Sequence, residues 1–581
     1  MNTQFKEVLL VRKGIISVVV FALLLSVGVA FAVDANEVYS ENGMVSSAHE
    51  LASKAGVEIL QKGGNAIDAA MATMLALNVV EPNASGIGGG GFTTIRFAET
   101  GEVVELDYRE VAPLSATRDM YASEESKKAK ESVLGGKAVG VPGIVKGIFT
   151  ILEKYGTMSF AEVAAPAIRL AEEGFEVHPM QTQIITDEFG KLSKYSPDCV
   201  FLPGGLPAET GTILKQPGIA KAFRLLASDG PDAFYNGPIG EAVVAAVNNS
   251  GGKMSMEDLR GYEMIVQKPV HGTYRGYSIY STPPASSGGT HIVQLLNIME
   301  NFPVKALKHN SPEYLHYLAE GMKMVFADRQ KYMADTAFVK VPLAGLSSKG
   351  YAKELADKIR KYEVMMEVPA GDPWPFDDSG KTAFIGGGGN KHISTSSFSV
   401  VDAAGNIVAS TNTVNYFFGS GVIVPEYGVV LNNQMDDFSQ NPESVNAPEP
   451  GKRPLSSMSP TIVLDPEGRA FMTIGAAGAM RIITAVSQII MNVVDFGMPM
   501  DMAIEQPRIF NPAGGGKAGK LLIEEGIAPS TVDYLKLRGH DLEVRPFSGY
   551  FGTAQGILFD HTKGRMNGGA DSRRLGVPVG Y

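Results

Sequence analysis

Apolar residues recur every three to four positions through residues 51–60 and again through 67–79. That is the period of a helix with one buried face. Gly63-Gly64-Asn65 separates the two runs, so residues 46–80 are predicted as a helix pair. A glycine-rich stretch, 85–91, ends at Phe92, and residues 93–97 then alternate as a strand does. Residues 140–265 return to the helical pattern with Pro and Gly punctuation. Residues 266–282 read as a strand, and 291–302 and 313–333 as helices. The periodicity stops between 363 and 394, where Pro369, Gly371, Pro373, Pro375 and four glycines at 386–389 give a linker composition. It resumes abruptly with strands at 397–401 and 407–410 joined by a turn at 403–406. Further strands are predicted at 421–431, 461–465, 470–474, 521–524 and 555–559, and helices at 481–496 and 529–539. The order mixes α and β without internal repeats. A linker that runs straight into a hairpin is the layout expected of an internal processing site.

At the start of the chain, Lys6, Arg12 and Lys13 precede an apolar run, 14–32, that ends in Ala30-Phe31-Ala32. Residues 1–32 therefore read as a secretory signal peptide cut after Ala32, the competing reading being a retained anchor helix. With 581 residues, length alone suggests two to four domains. The net charge of −11 argues against nucleic acid and anionic membrane as partners. The single cysteine, Cys199, cannot form an internal disulfide and has no Lys, Arg or His beside it to activate a thiolate. A cysteine-poor exported chain fits a bacterial periplasm or the exterior.

Three motifs compete for a catalytic reading. Gly86-x-Gly88-x-x-Gly91 matches the dinucleotide fingerprint formally, but it follows a helix and opens a strand, the reverse of what that site needs. Close backbone packing is the better explanation. His291 follows Ser286-Ser287-Gly288-Gly289-Thr290 at the start of a predicted helix and reads as structural. The nine histidines include no pair at metal-ligand spacing, so neither a metal nor another cofactor is expected. The third motif is the Ser/Thr-rich hairpin itself: Thr395-Ser396-Ser397-Phe398-Ser399, then Thr411-Asn412-Thr413-Val414-Asn415. Alone it would be an ordinary solvated sheet.

It is followed by Asn432-Asn433-Gln434-Met435-Asp436-Asp437-Phe438, by Lys452-Arg453-Pro454-Leu455-Ser456-Ser457-Met458-Ser459-Pro460, and by Gly475-Ala476-Ala477-Gly478-Ala479-Met480-Arg481. These blocks, in this order, resemble the small subunit of γ-glutamyltransferases, the glutathione hydrolases. Upstream, Gly63-Gly64-Asn65-Ala66-Ile67-Asp68, the 85–92 stretch, Asp107-Tyr108-Arg109-Glu110-Val111-Ala112-Pro113 and Pro283-Pro284-Ala285-Ser286-Ser287-Gly288-Gly289 resemble the large subunit. The resemblance covers nearly the whole chain after the signal. It implies an α+β fold, the four-layer αββα sandwich of N-terminal-nucleophile hydrolases. It further implies self-cleavage between Ser394 and Thr395 into a large subunit, 33–394, and a small catalytic subunit, 395–581, held together as a heterodimer.

The family's chemistry carries over residue by residue. Thr395 is the expected nucleophile, and its freed α-amine, with an unperturbed pKa of about 7.7–8.0, the base. Thr413 would orient the Thr395 hydroxyl, and the N–H groups of Gly478 and Ala479 would form the oxyanion hole. Arg109, Ser456 and Ser457 would hold a substrate α-carboxylate; Asp437, Asn415 and Gln434 would hold its α-ammonium. The implied substrate is a γ-glutamyl compound such as glutathione, with water, an amino acid or a peptide as acceptor. There are three departures. Ser397 stands where many members carry His. Ala479 stands in a usual Gly-Gly pair, where its Cβ should remove the left-handed backbone option. The segment from Phe438 to Lys452 is too short for a lid. Two other functions stay open: a cephalosporin-acylase-like amidase for glutaryl groups, and a non-catalytic binding protein.

Overall fold

The hairpin expected at 397–410 lies at the centre of a sheet. The computed structural model describes residues 38–378 and 394–581; the expected signal peptide and positions 379–393 of the linker lie outside them. Before the linker come β1 (Val38–Ser40), β2 (Met44–Ser47), β3 (Gly90–Arg96), β4 (Val103–Asp107), β5 (Ile265–Gln267), β6 (Val270–Tyr274) and β7 (Tyr277–Ser281). After it come β8 (Ser396–Val401), β9 (Ile407–Thr413), β10 (Thr461–Leu464), β11 (Ala470–Ala477), β12 (Thr553–Asp560), β13 (Arg565–Ala570) and β14 (Val577–Gly580). One sheet has the order β1-β13-β12-β11-β10-β7-β6 and the other β14-β2-β8-β9-β3-β4-β5. Each therefore takes strands from both sides of Thr395, and all pairings in both are antiparallel.

The two sheets pack face to face, β8 and β9 against β11. Helices α1 (Glu50–Gln61) and α2 (Ala66–Val80) cover the outer side of the second sheet, with α3 (Phe160–Glu173) packed on them. Helices α4 (Gly288–Met299) and α6 (Arg481–Val494) cover the first, with α5 (Pro312–Tyr332) packed on α4. The result is a four-layer αββα sandwich. Helix α2 is buried along its whole length, which is why its sequence is apolar all round. It begins at a capping box between Asn65 and Asp68, and the Asp402 carboxylate accepts the Ala66 N–H at 2.9 Å. The turn of the β8–β9 hairpin is thereby tied to the helix start, a contact of the kind that contributes about 1 kcal/mol.

The layer between the sheets changes character along its length. Far from Thr395 it is apolar, with Met44, Val401, Ile407, Ile462 and Ile557 in one cluster. Nearer Thr395 it is lined by hydroxyls, such as Ser399 Oγ and Thr473 Oγ1, 3.2 Å apart.

The described residues from Val38 onward form one compact unit, against the several domains that length suggests. The single strand expected at 266–282 is the hairpin β6–β7, turning at Arg275 and Gly276, both with positive φ. The strand expected at 421–431 shrinks to the pairs Ile423–Val424 and Val429–Val430. Strand β13 was not anticipated, because Gly568 and Gly569 interrupt its alternation.

Candidate active site

Register brings the first two residues together. Ser396 pairs with Asn412, so Thr395 and Thr413 face each other just beyond the end of the β8–β9 ladder. Their hydroxyls are 3.0 Å apart, and Thr413 Oγ1 also accepts the Asn415 N–H at 2.8 Å. Glycine lets the neighbouring chain approach: a Cβ at Gly89 would strike the Thr413 carbonyl, and one at Gly90 the Glu110 carboxylate. The turn before β3 is thus a packing device and not a nucleotide loop.

Arg109, Thr395, Thr413, Asn415, Gln434, Asp437, Ser456, Ser457 and Ala479 line one narrow pocket together with Met458 and Ile482. Gly478 adjoins it, so every predicted site residue but Ser394 is at or beside this pocket. Ser394 is buried behind it, its hydroxyl donating to the Asn83 carbonyl at 3.3 Å. Thr395 has φ +110°. That value is a genuine outlier for a β-branched residue and marks strain on the order of 1–3 kcal/mol. The strained torsion is about the Thr395 N–Cα bond, next to the Ser394–Thr395 peptide bond.

The pocket divides into donors and acceptors. Arg109 is an ion pair with Asp437 and gives its Nε–H to the Pro454 carbonyl at 3.2 Å. Asp437 Oδ2 also accepts from Gln434 Nε2 at 2.5 Å. Asp437 Oδ1 and Gln434 Oε1 are buried without a hydrogen-bond partner among the described residues. On the other side, Ser456 Oγ accepts the Met458 N–H at 3.1 Å, and Ser457 Oγ accepts from Arg329 Nη2 at 3.0 Å. Each serine hydroxyl is already an acceptor, so its proton is left for the pocket. Burial raises the Asp437 carboxyl above its ordinary range, with Arg109 opposing that rise. Burial also pushes the neighbouring Glu110, 3.7 Å from Arg109, up to about 8. Asp437 is the nearer of the two carboxylates to Arg109.

Gly478 and Ala479 form the turn between β11 and α6, with φ of +132° and +55°. Neither N–H donates to an acceptor among the described residues. Both lie next to the positive end of a 14-residue helix. The expectation that Ala479 loses the left-handed backbone is thus corrected. The turn imposes that conformation on alanine, at a cost of about 1–2 kcal/mol. Ser397 does not line the pocket; it lies against Gly475 of β11, between the sheets. The short segment after Phe438 folds down, with Asn446 bonded to the Asp437 carbonyl at 2.7 Å. Beside it opens a vestibule of about 820 Å³.

Sequence reading missed the groups behind Thr395. Arg574 Nη1 donates to the Thr395 carbonyl at 2.6 Å and to Glu81 at 3.2 Å, and Ser396 donates to the same carboxylate. No local pattern links residues so distant in the chain. Cys199 is half-buried, and burial pushes its thiol up, away from reactivity. His291 is fully buried against Gln294 at 2.7 Å. The fold does assemble a cluster that spacing between histidines did not reveal: His316, Glu320 and His540. His316 and His540 hydrogen-bond at 2.9 Å, and Lys323 sits 2.7 Å from Glu320, so an ammonium already balances the carboxylate.

Comparison with known proteins identifies the family. A family model described as gamma-glutamyltranspeptidase matches residues 52–581. The glutathione hydrolase proenzyme of Bacillus subtilis (strain 168) is 39% identical over 551 residues, 93% of this chain and 92% of its own. The acylase ACY 1 proenzyme of Pseudomonas sp. (strain SE83) is 39% identical over 546 residues, 92% of this chain and 93% of its own. The crystal structure of cephalosporin acylase from Bacillus halodurans superimposes with a TM-score of 0.83 at 29% identity, covering 94% of this chain and 97% of its own. An αββα sandwich whose sequence is matched over almost its whole length places the chain in the γ-glutamyltranspeptidase family.

Proposed function

We propose that the protein is a self-processing γ-glutamyl hydrolase and transferase with Thr395 as nucleophile. The observation that carries this reading is the pairing of two unpartnered buried acceptors, Asp437 Oδ1 and Gln434 Oε1, with a facing set of donors from Ser456, Ser457 and Arg109. Acceptors and donors so placed match the ammonium and carboxylate of an α-amino acid.

Processing comes first. The Thr395 hydroxyl attacks the Ser394 carbonyl carbon, the peptide nitrogen leaves as the Thr395 amine, and water splits the resulting ester. The strained φ of Thr395 favours breaking this bond. The products are a large subunit ending at Ser394 and a small subunit beginning at Thr395. Because each sheet takes strands from both, they stay together as a heterodimer. In turnover the free α-amine takes the hydroxyl proton and Oγ1 attacks the γ-carbonyl. Thr413 holds the hydroxyl in line. The oxyanion is stabilised by the N–H groups of Gly478 and Ala479. Collapse passes the proton to the departing amine and leaves a γ-glutamyl ester on Thr395, which water, an amino acid or a peptide then takes. The donor is a γ-glutamyl compound such as glutathione. The 1–32 segment directs export to the periplasm or beyond.

A second reading has specific support, since relatives of comparable likeness are named acylases. A glutaryl group has the γ-carbonyl and carboxylate but no ammonium, and would leave Asp437 Oδ1 and Gln434 Oε1 unpaired. Two measurements decide. Mass under denaturing conditions should give two fragments, the smaller starting at Thr395; one persistent full-length species overturns self-processing. Matched γ-glutamyl and glutaryl anilides should then show a preference for γ-glutamyl of at least about 10-fold, the worth of a charge-assisted hydrogen bond. A preference for glutaryl establishes the acylase reading instead.

A further inference from the structure

The vestibule begins where the pocket ends. Tyr416, Phe438 and Met480 line it, each following in sequence a residue that lines the pocket: Asn415, Asp437 and Ala479. A leaving group attached to the γ-carbonyl therefore extends past the Gly478–Ala479 turn into this space.

Two cations in its wall form no ion pair among the described residues, exposed Lys130 and buried Arg329. Arg329 on α5 is 2% exposed and lines the vestibule, yet it forms no ion pair among the described residues. Its Nε–H goes to Ser287 Oγ at 2.8 Å and Nη2 to Ser457 Oγ at 3.0 Å. Nη1 has no hydrogen-bond partner among the described residues and is not sealed in the interior, so it is left for the cavity. A buried guanidinium supported only at longer range, by Asp437, is costly, and the cost is relieved when a carboxylate arrives. The vestibule's own carboxylates are engaged elsewhere. Asp436 accepts from Ser132 and Tyr416, both at 2.5 Å, and Glu188 pairs with Lys191 at 2.8 Å.

We propose that Arg329 is a specificity residue that binds a carboxylate on the leaving group, so that the vestibule selects γ-glutamyl donors whose amine half is an amino acid or a peptide with a free C-terminus. The proposal rests on the γ-glutamyl reading of the pocket. Arg329 also touches Ser457, so its loss affects every donor; the diagnostic quantity is a ratio between two donors that differ in one charge.

The test uses γ-glutamyl-alanyl-glycine and its C-terminal amide, with release of the alanyl-glycine half followed by chromatography. Wild type should prefer the free acid by about 10-fold in kcat/KM, carried mostly by KM. In Arg329→Gln both substrates slow through Ser457, but the preference collapses to near unity; Arg329→Lys recovers part of it. A wild-type ratio near one, or a ratio unchanged in Arg329→Gln, overturns the proposal. Should Arg329→Gln fail to fold or process, the wild-type ratio at rising ionic strength and the ratio in Lys130→Gln replace it: a preference that falls with salt and survives Lys130→Gln supports Arg329, and a constant ratio, or one lost in Lys130→Gln, overturns the proposal. If wild type cleaves neither peptide but cleaves glutaryl anilides, it is the γ-glutamyl reading that has failed, and the same acid–amide comparison is made with glutaryl-alanyl-glycine.

Discussion

The narrow pocket at Thr395 and the vestibule beside it treat charge in opposite ways. In the pocket the cation Arg109 is already paired with Asp437, and the unmet groups are neutral-side acceptors and hydroxyl protons. In the vestibule the carboxylates are engaged and the unmet groups are cations, buried Arg329 and exposed Lys130. A site whose charges are pre-paired discriminates by completing hydrogen bonds at fixed points, because an imperfect guest leaves buried groups unsatisfied. A roomy site with unmet positive charge discriminates by charge alone and tolerates many shapes. On the proposed reading, the difference teaches that the pocket asks strictly for one acyl group while the vestibule accepts amines of many shapes.

The comparison can be broken most severely at its shared edge. Thr395→Ala should leave a single full-length chain on denaturing gels and lower turnover by at least about 10⁴-fold. Next is the pocket's own selectivity. Asp437→Asn should lower kcat/KM for a γ-glutamyl anilide by about 10–100-fold while costing a glutaryl anilide far less. Equal losses would mean that Asp437 serves only Arg109. A smaller effect is expected behind the nucleophile. The double variant Glu81→Gln/Arg574→Met removes a buried ion pair without stranding either charge. It should slow appearance of the small subunit by about 10-fold, as one charge-assisted hydrogen bond to the Thr395 carbonyl is lost. The smallest effect sharpens the charge balance of the pocket. Glu110 is held at about 8 by burial, so it ionises as pH rises through that value and then competes for Arg109. KM for a γ-glutamyl anilide should rise about 2–5-fold above pH 8 in wild type and stay flat in Glu110→Gln, with little difference below pH 7.

The pocket was largely legible because its residues occur in short contiguous blocks. Gln434 and Asp437 share one turn, Ser456 and Ser457 are adjacent, and Gly478 and Ala479 share another turn. The vestibule was not. Arg329 lies in a helix whose pattern reads as ordinary core, and only packing sets it against Ser287 and Ser457. Glu81 and Arg574 are 493 positions apart, beyond any local signal. Among fold elements, strongly periodic helices such as α2 and α6 were placed to within a residue or two. Short strands carrying glycine, such as β13, were lost because their register comes from neighbours and not from their own alternation. The Ala479 error has the same root: a strand-to-helix turn fixed by the surrounding layers overrides one residue's preference.

The hydrogen bond from Arg574 to the Thr395 carbonyl joins positions 179 residues apart. Synthesis runs in one direction, so Thr395 emerges long before the residue that grips its carbonyl. Strand β14, which borders β2 at the edge of the same sheet, emerges later still. On the proposed mechanism, self-cleavage therefore reaches its full rate only once the last residues have emerged. A chain stalled before Arg574 would hold Thr395 without that hydrogen bond and would cleave itself more slowly.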